Sequence, residues 1–396
     1  MTQTRILAAD RSCTTALYAF SADPITYGHI NVVERVSRTF DRVIVGIGRN
    51  PAKKYLFSLD VRLHLATEAL RHLSNVTVLS FHGMVVDFAS EQGAEVIVKG
   101  VRNAADFDYE QMLHQVGISQ QAGIDTHVLF ANPALAHVSS SAVKAIQLEH
   151  GFIHEYVPLV VKSALEEALS SQLILGVTGV AGAGKSTLCE QLVAEGKSRN
   201  LPVHNIDLDK LGHTILNGLD LPLHRETCRA LIVRFGPGIE KAGGIDRKSL
   251  ADCVFGNPDA LADLNHIMTW PITVGLRKAL YGLRGLVLLN GALLVEAGLL
   301  PLCNNRVILV DASHKVRIAR QAARGYSPEE VENRMAAQWS TKLKHEAIEA
   351  AISQHCFGRL WSWNTDLAPV APSTAKLLDN ILSNTGAQLT TESMHL

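Results

Sequence analysis

LILGVTGVAGAGKSTL, residues 173–188, decides how the second half of this chain folds. Its first six residues are apolar or small. They lead into Gly179-Val180-Ala181-Gly182-Ala183-Gly184-Lys185-Ser186, which fits G-x-x-x-x-G-K-[ST] in full. The apolar run reads as a buried strand, and the chain from Thr187 onward reads as a helix. Glycines let the backbone curl so that several N–H groups face one anion. The following helix N-terminus adds partial positive charge. The ligand that suits such a loop is phosphate. Gly179, Gly182 and Gly184 shape the cradle, Lys185 reaches the terminal phosphates of ATP, Ser186 ligates magnesium, and Thr187 stands beside it. The bland alternative is a glycine-rich connection with no ligand. No N-K-x-D motif follows, which disfavours a GTPase. About 20 residues on comes IDLDKLGH, 206–213. There Asp207 and Asp209 alternate at the end of an expected strand, so only one of them is expected to face the phosphates, as a base or through magnesium. The alternative is that both are capping or turn carboxylates.

The 396 residues predict two or three domains. Hydrophobic residues make up 47% and charged residues 19%, with a net charge of −1, so the chain can build sizeable cores and has no electrostatic footprint for nucleic acid or an anionic membrane. Six cysteines show neither a C-x-x-C pair nor zinc spacing, which points to a reducing, cytoplasmic setting. Seventeen histidines include no H-E-x-x-H, which disfavours a histidine-held metal. Residues 1–20 lack a continuous apolar core and do not read as a signal peptide. The most apolar window, 286–302, is interrupted by Asn290 and Glu296 and is short for a membrane span.

Upstream of the loop, short β-rich runs (42–48, 76–81, 95–100 and 126–130) alternate with helical patterns (58–73 and 84–91). This alternation predicts an α/β fold whose sheet is mainly parallel and flanked by helices. In the first helix Ile30, Val33, Val36 and Phe40 mark one buried face. The pattern changes after a helix over 158–169, which places a boundary near 171, with domains at 1–170 and 171–396. The second half runs strand, helix, IDLDKLGH, a mostly helical stretch over 223–283, then GLVLLNGALLVE and NRVILVD. A last short helix is expected in the tail beyond 369.

Residues 173 to about 345 resemble dephospho-CoA kinase. The matching pieces are the glycine-rich loop, IDLDKLGH, RKSLADCVFGNPDALADLNHI (247–267), ALLVEAG (292–298), RVILVD (306–311) and RIARQAARGYSPEEVENRMAAQ (317–338). The resemblance implies a P-loop kinase fold that phosphorylates the ribose 3′-hydroxyl of dephospho-CoA with ATP and Mg2+. It makes Asp207 the general base, gives Asp209 and Glu296 substrate contacts, and puts Arg320 and Arg324 in a lid over the phosphates. Trp270-Pro271 and Ala292 depart from the family's usual residues.

The first half has its own turn, DPITYGH, 23–29. Alone it is equally well read as a helix start with no ligand. Over a longer span, from 16 to about 165, the chain is similar to bacterial phosphopantetheine adenylyltransferase, through DPITYGHINVVERVSRTFDRVIVGIGRNPAKKYLFSLDVRLHL, VKGVRNAADFDYEQML and HVSSSAVKAI. That resemblance implies a Rossmann-like nucleotidyltransferase fold that moves AMP from ATP to 4′-phosphopantetheine. His29 would steady the phosphoryl centre, Lys53 hold the incoming phosphate and Arg102 hold the ATP phosphates. Ser21, Thr26, Gly28, Lys99, Ser139, Ser140 and Ser141 would complete the ATP site, and Met84 would touch the acceptor. Phe20 stands where the family has glycine, and Lys99 where it often has arginine.

The two halves then make consecutive products, the last two steps of coenzyme A biosynthesis. The implied partners are small molecules, with no nucleic acid or membrane, and a homo-oligomer through the N-terminal domain. The rival readings are a kinase whose N-terminal half only binds nucleotide or scaffolds, a P-loop kinase for another hydroxyl acceptor, and a P-loop switch protein that transfers nothing.

Overall fold

The computed structural model describes residues 13–120, 123–217, 221–254, 257–336, 338–366 and 371–385. The reading of a missing signal peptide falls largely on residues outside these. The chain divides into two compact units. One comprises residues up to Ile146 with Ile153–Ala164, and the other Gln147–Phe152 with Leu165 onward.

The first unit runs β1 (Thr15–Phe20), α1 (Tyr27–Ser37), β2 (Arg42–Ile47), α2 (Leu59–Leu70), β3 (Val76–Ser80), α3 (Val85–Glu91), β4 (Val96–Val101), α4 (Ala104–Ser119) and β5 (Asp125–Phe130). The start of α5 (Ser140–Leu148) and of α6 (Leu159–Ser170) also belongs to it. Its sheet has the order β3-β2-β1-β4-β5, with every pairing parallel. Chain order reverses between β1 and β4, so their carboxyl ends open a crevice where the following loops diverge. Leu17, Ile44 and Ile97 pack one face of this sheet with Phe81 and Phe88. Ile30, Val33 and Val36 are buried as expected. Phe40 lies beyond the end of α1, half-buried beside His127.

The second unit runs β6 (Gln172–Thr178), α7 (Lys185–Ser198), β7 (Val203–Asp207), α8 (Leu208–Asn217), α9 (Pro222–Phe235), β8 (Glu240–Lys241), β9 (Gly244–Ile245), α10 (Arg247–Val254), α11 (Pro258–Leu280) and β10 (Gly285–Asn290). It continues with β11 (Arg306–Asp311), α12 (His314–Ala322), α13 (Pro328–Ala336), α14 (Thr341–His355), β12 (Arg359–Asn364) and α15 (Ala371–Thr385). Five parallel strands stand in the order β12-β11-β6-β10-β7, and β8 and β9 form a small antiparallel pair. Every residue of β6 and β10 is buried, which is why both read as unbroken apolar runs: a central parallel strand is covered on both faces. The expected helical stretch over 223–283 holds α9, α10 and α11, with the β8–β9 pair between α9 and α10. The tail carries α15 as expected. Strand β12 is not foreseen; it adds a sheet edge at Leu360, Trp361 and Trp363.

The glycine-rich loop leaves β6 through Gly179, whose φ is +150°. A Cβ there would lie 2.0 Å from the Val310 carbonyl oxygen on β11. No side-chain rotation relieves contact with a neighbouring strand's backbone, so Gly179→Ala is expected to destabilise this unit by more than about 3 kcal/mol. The four tryptophans, at 270, 339, 361 and 363, all belong to the second unit. Denaturant unfolding followed by tryptophan fluorescence therefore measures the effect there alone.

Candidate active sites

In the first unit a cleft of about 720 Å³ lies at the carboxyl ends of β1 and β4. Six cationic side chains (Arg49, Lys53, Lys54, Lys99, Arg102 and Lys144) line it against three carboxylates, Asp23, Asp106 and Glu110, a balance that suits anionic ligands. His29 sits at the third position of α1. Its Nδ1 accepts the N–H of Thr26 at 3.1 Å, while Thr26, fully buried, caps the helix. A ring nitrogen that accepts carries no proton, so Nε2 bears the hydrogen and is the donor left for a ligand. Burial pushes the His29 pKa down to about 4, with Arg102 and Lys53 adding to the shift. His29 is therefore a neutral donor at physiological pH.

Other elements hold this cleft open. Arg62 is buried on α2; it donates to the carbonyls of Ser21 and Gly48, joining the ends of β1 and β2, and stacks over Tyr55 at 4.1 Å. The Tyr55 hydroxyl lies 3.4 Å from Ser21 Oγ and accepts the Asn50 N–H at 2.6 Å. Asp23 takes the N–H groups of Leu56 and Phe57 at 3.0 Å and the Lys144 ammonium at 2.7 Å. Burial alone would lift the Asp23 carboxyl, but Lys144 and those two amides together hold it below its ordinary range. Sequence reasoning singled out none of Arg62, Tyr55, Asp23 or Lys144. An arginine in an otherwise apolar helical stripe is the one signal it offered.

The structure brings most of the expected residues to this cleft: Ser21, Thr26, Gly28, His29, Lys53, Lys99, Arg102, Ser139, Ser140 and Ser141 all line it. Ser139 accepts the Ala142 N–H at 3.1 Å, and Ser140 donates to the Pro24 carbonyl at 2.8 Å, so both also fix the start of α5. Lys99 is paired with Glu110 at 2.8 Å and Arg102 with Asp106 at 2.8 Å; both carboxylates stand on α4, one turn apart. Met84 precedes α3; the wall of the cleft is formed by its neighbours Gly83 and Val85. Phe20 also lines the cleft, and its ring stacks on His29, centroids 4.5 Å apart and planes 7° apart.

In the second unit the glycine-rich loop joins β6 to α7. Gly182 and Gly184 hold φ of +79° and +99°, and a Cβ on Gly182 would lie 2.8 Å from the Arg317 carbonyl. Lys185 folds back onto the carbonyls of Gly179 and Val180 at 2.9 and 3.3 Å. Burial lowers its pKa to about 8; Asp209 opposes the shift, and Lys344 and Arg324 reinforce it. Ser186 and Thr187 are exposed on the first turn of α7. Asp207 ends β7 and accepts the Lys210 N–H at 2.9 Å, so it is a capping carboxylate as well as a candidate base. Asp209 does not continue a strand alternation: β7 ends at Asp207, and Asp209 stands in the first turn of α8. Solvent reaches its carboxylate, but protein surrounds it on most sides. That desolvation raises its pKa against the pull of Lys185.

Arg320 reaches from α12 to the carbonyls of Gly182 and Ala183 at 3.2 Å and to Thr365 Oγ1 at 2.7 Å. Arg324 is exposed just past α12. Gln338 Oε1 accepts the Ala181 N–H of the loop at 2.8 Å. Glu296 is engaged with a lysine of the same unit. Both its oxygens lie on the Lys344 ammonium, at 2.5 and 2.6 Å, with side-chain exposures of 4% and 0%, and one also accepts the Trp339 N–H. In this conformation Glu296 anchors the start of α14. The pairing partner stands 48 residues away, beyond the reach of any periodicity.

Among the described residues, no group of three His, Cys, Asp or Glu side chains is disposed to hold a metal, and no helix is long and apolar enough to cross a membrane. The dephospho-CoA kinase family profile matches residues 173–355, and a cytidylyltransferase-like profile matches 18–146. The phosphopantetheine adenylyltransferase of Leuconostoc citreum (strain KM20) is 42% identical over 156 residues, which span 39% of this chain and 98% of that protein. That of Syntrophomonas wolfei (strain DSM 2245B / Goettingen) is 40% identical over 154 residues, covering 39% and 96%. The crystal structure of TT1252 from Thermus thermophilus aligns with 54% of this chain and 97% of its own, at 28% identity and a TM-score of 0.41.

The Lys185 ammonium has a testable consequence. Its pKa of about 8 lies below the ordinary lysine value near 10.4, so the unfolded chain binds more protons between those limits. The burial therefore weakens the fold at neutral pH, and the penalty fades as pH rises through that window. A bound phosphate restores the charge. Binding of ATP at pH 8 is expected to take up about half a proton at this site. Calorimetry in buffers of different ionisation enthalpy measures the uptake, and Lys185→Ala should remove it.

Proposed function

This chain belongs to the phosphopantetheine adenylyltransferase family and carries a dephospho-CoA kinase domain behind that portion, and we infer that it performs the last two steps of coenzyme A biosynthesis with the two sites described above. The observation that carries this reading is the pairing itself. One polypeptide joins an adenylyltransferase portion that spans 98% of a relative's length to a kinase whose acceptor is the product of that transfer.

We assign the first reaction to residues 1–170. A phosphate oxygen of 4′-phosphopantetheine attacks the α-phosphorus of ATP in line, pyrophosphate leaves, and dephospho-CoA forms. The chemistry needs no covalent enzyme intermediate, only two anions held in register and charge stabilised as it grows. The His29 Nε2–H donates to the α-phosphate, Lys53 receives the acceptor phosphate, and Arg102 and Lys99 hold the leaving pyrophosphate. Those last two cations are paired with Asp106 and Glu110, so the ATP phosphates compete with these carboxylates for them. Ser21, Thr26, Gly28 and the Ser139–Ser141 turn serve ATP, and Met84 lies toward the acceptor.

We assign the second reaction to residues 171–396. The glycine loop and Lys185 bind the ATP phosphates. Asp207 takes the proton of the ribose 3′-hydroxyl as its oxygen attacks the γ-phosphorus, and ADP leaves. Asp209 faces the acceptor. Arg320 and Arg324 close on the phosphates, with Arg320 releasing the loop carbonyls it now holds. The donors at the loop, the Ser186 hydroxyl and nearby carboxylate oxygens, are the hard oxygen ligands that magnesium prefers. Ser186 would hold the ion, and magnesium bound with ATP neutralises charge on the β- and γ-phosphates.

ATP, 4′-phosphopantetheine and dephospho-CoA are then the partners, and the cytoplasm is the setting we propose. Copies are also proposed to associate through the first unit. Support comes from α4, which buries none of its residues and exposes Phe107, Tyr109, Met112 and Ile118. Sedimentation velocity checks this: Met112→Glu is expected to shift the protein to a smaller species.

The enzymatic reading is tested with purified protein, magnesium, ATP and either 4′-phosphopantetheine or dephospho-CoA, with products followed by mass spectrometry. The first mixture should pass through dephospho-CoA to CoA, and the second should go directly to CoA. Lys185→Ala should stop the first mixture at dephospho-CoA. His29→Ala should slow the first mixture about 100-fold or more and leave the second unchanged. CoA from neither mixture overturns the reading.

A further inference from the structure

We propose that Phe20 is the residue that holds the His29 imidazole in its working orientation for adenylyl transfer, by lying flat against the ring while Thr26 holds its inner edge. The proposal rests on the adenylyltransferase reading above and gives a role to a residue at which this chain departs from the family it resembles.

Phe20 is the last residue of β1, at the point where strand order reverses, and it lines the cleft beside His29. A centroid distance of 4.5 Å and an interplanar angle of 7° make a close, near-parallel stack. Tyr18 braces Phe20 in turn, centroids 4.8 Å apart and tilted by 35°. Tyr18 has its place because residue 100 is glycine: a Cβ there would lie 3.3 Å from the Tyr18 hydroxyl and 3.1 Å from Val32. Three rings thus follow one another from the sheet to the cleft, and the last of them is the imidazole.

The two contacts on His29 restrain different motions. The Thr26 N–H to Nδ1 bond selects the tautomer and aims the ring edge. With the Thr26 Oγ1 contact at 2.9 Å it holds one edge of the ring, but the ring keeps some rotation about its bond to Cβ, because that torsion is broad and soft. The Phe20 ring blocks that rotation. It also covers one face of the imidazole against water, while Arg102 and Lys53 are the charged groups that act on it. A second proton on the ring would break the Thr26 bond, so the cover and the tautomer support the same state.

The test compares Phe20→Tyr, Phe20→Leu and Phe20→Gly in the full chain. The His29 ring nitrogens are followed by 15N NMR, with His29→Gln assigning the signal, and adenylyl transfer is measured from pH 5 to 8. Phe20→Tyr should stay within about threefold of wild type. Phe20→Leu and Phe20→Gly should lose about 10- to 100-fold in kcat, with KM for ATP changed by less than about threefold. In both, His29 should begin to titrate between about 4 and 6.5, and a new acid limb should appear in the rate profile. A residue that only stabilises the fold would give neither the titration nor the limb. Two results overturn the proposal: a gain of adenylyl transfer in Phe20→Gly, which would make the ring an obstruction, or an unchanged kcat and an unchanged His29 signal in Phe20→Leu. If wild type forms no dephospho-CoA, the functional reading fails by itself, and the His29 titration still decides whether Phe20 governs that ring.

Discussion

Among the described residues, all ten long strands run parallel to their sheet neighbours, and the rest follows from that constraint. A parallel strand reaches its neighbour only by a crossover, here nearly always a helix, so every strand in a sheet ends on the same edge. Helix N-termini begin at that edge, with unpaired N–H groups and partial positive charge. Thr26–His29 and Gly184–Ser186 occupy equivalent places in two sheets of different strand order. Both are turns from a strand's carboxyl end into a helix, and both suit phosphate for the same electrostatic reason.

What the two edges do with that field differs. In the second unit the backbone itself is shaped for the anion, at the cost of positive φ at Gly179, Gly182 and Gly184. In the first unit side chains provide the charge, and three of the six cations are paired with carboxylates. Arg102 has Asp106, Lys99 has Glu110, and Lys144 has Asp23. The backbone cradle needs less of this, although even there Gln338 and Arg320 meet groups of the loop. These pairs offset half of the six cationic side chains that line the cleft, because unpaired like charges at close range are costly when partly desolvated.

Much of this was legible from residue order alone. The alternation of β-rich and helical runs located four strands of the first sheet to within one or two residues: the inner β2 and β4 are largely buried and apolar, and the edge strands β3 and β5 still carry β-branched and apolar runs. The glycine loop announced itself because only glycine tolerates its backbone. Helix α4 was not drawn from periodicity, since its apolar residues face outward and leave no buried stripe. Strand β12 is a short sheet edge that follows Gly358 at a φ of +125°, and six residues rich in tryptophan carry little period. Asp207 and Asp209 were read as one alternating pair because nothing in IDLDKLGH marks where strand gives way to helix. Phe20 showed only as a departure from glycine, because a residue list gives its bulk and not the stacking of its ring on His29. Glu296 looked like a substrate ligand, because its partner is remote in sequence.

That last pair has a consequence for how this protein can change over time. Lys344 and Glu296 are buried together, and removing one partner from such a pair costs about 3–5 kcal/mol. A whole domain is commonly stable by only about 5–15 kcal/mol. Either residue altered alone leaves a buried charge without its opposite, so a single change at these two positions removes a large share of that margin. A change that replaces both with apolar side chains of similar volume avoids that penalty. Positions 296 and 344 are therefore energetically coupled across 48 residues: a change at one is least costly when the other changes with it.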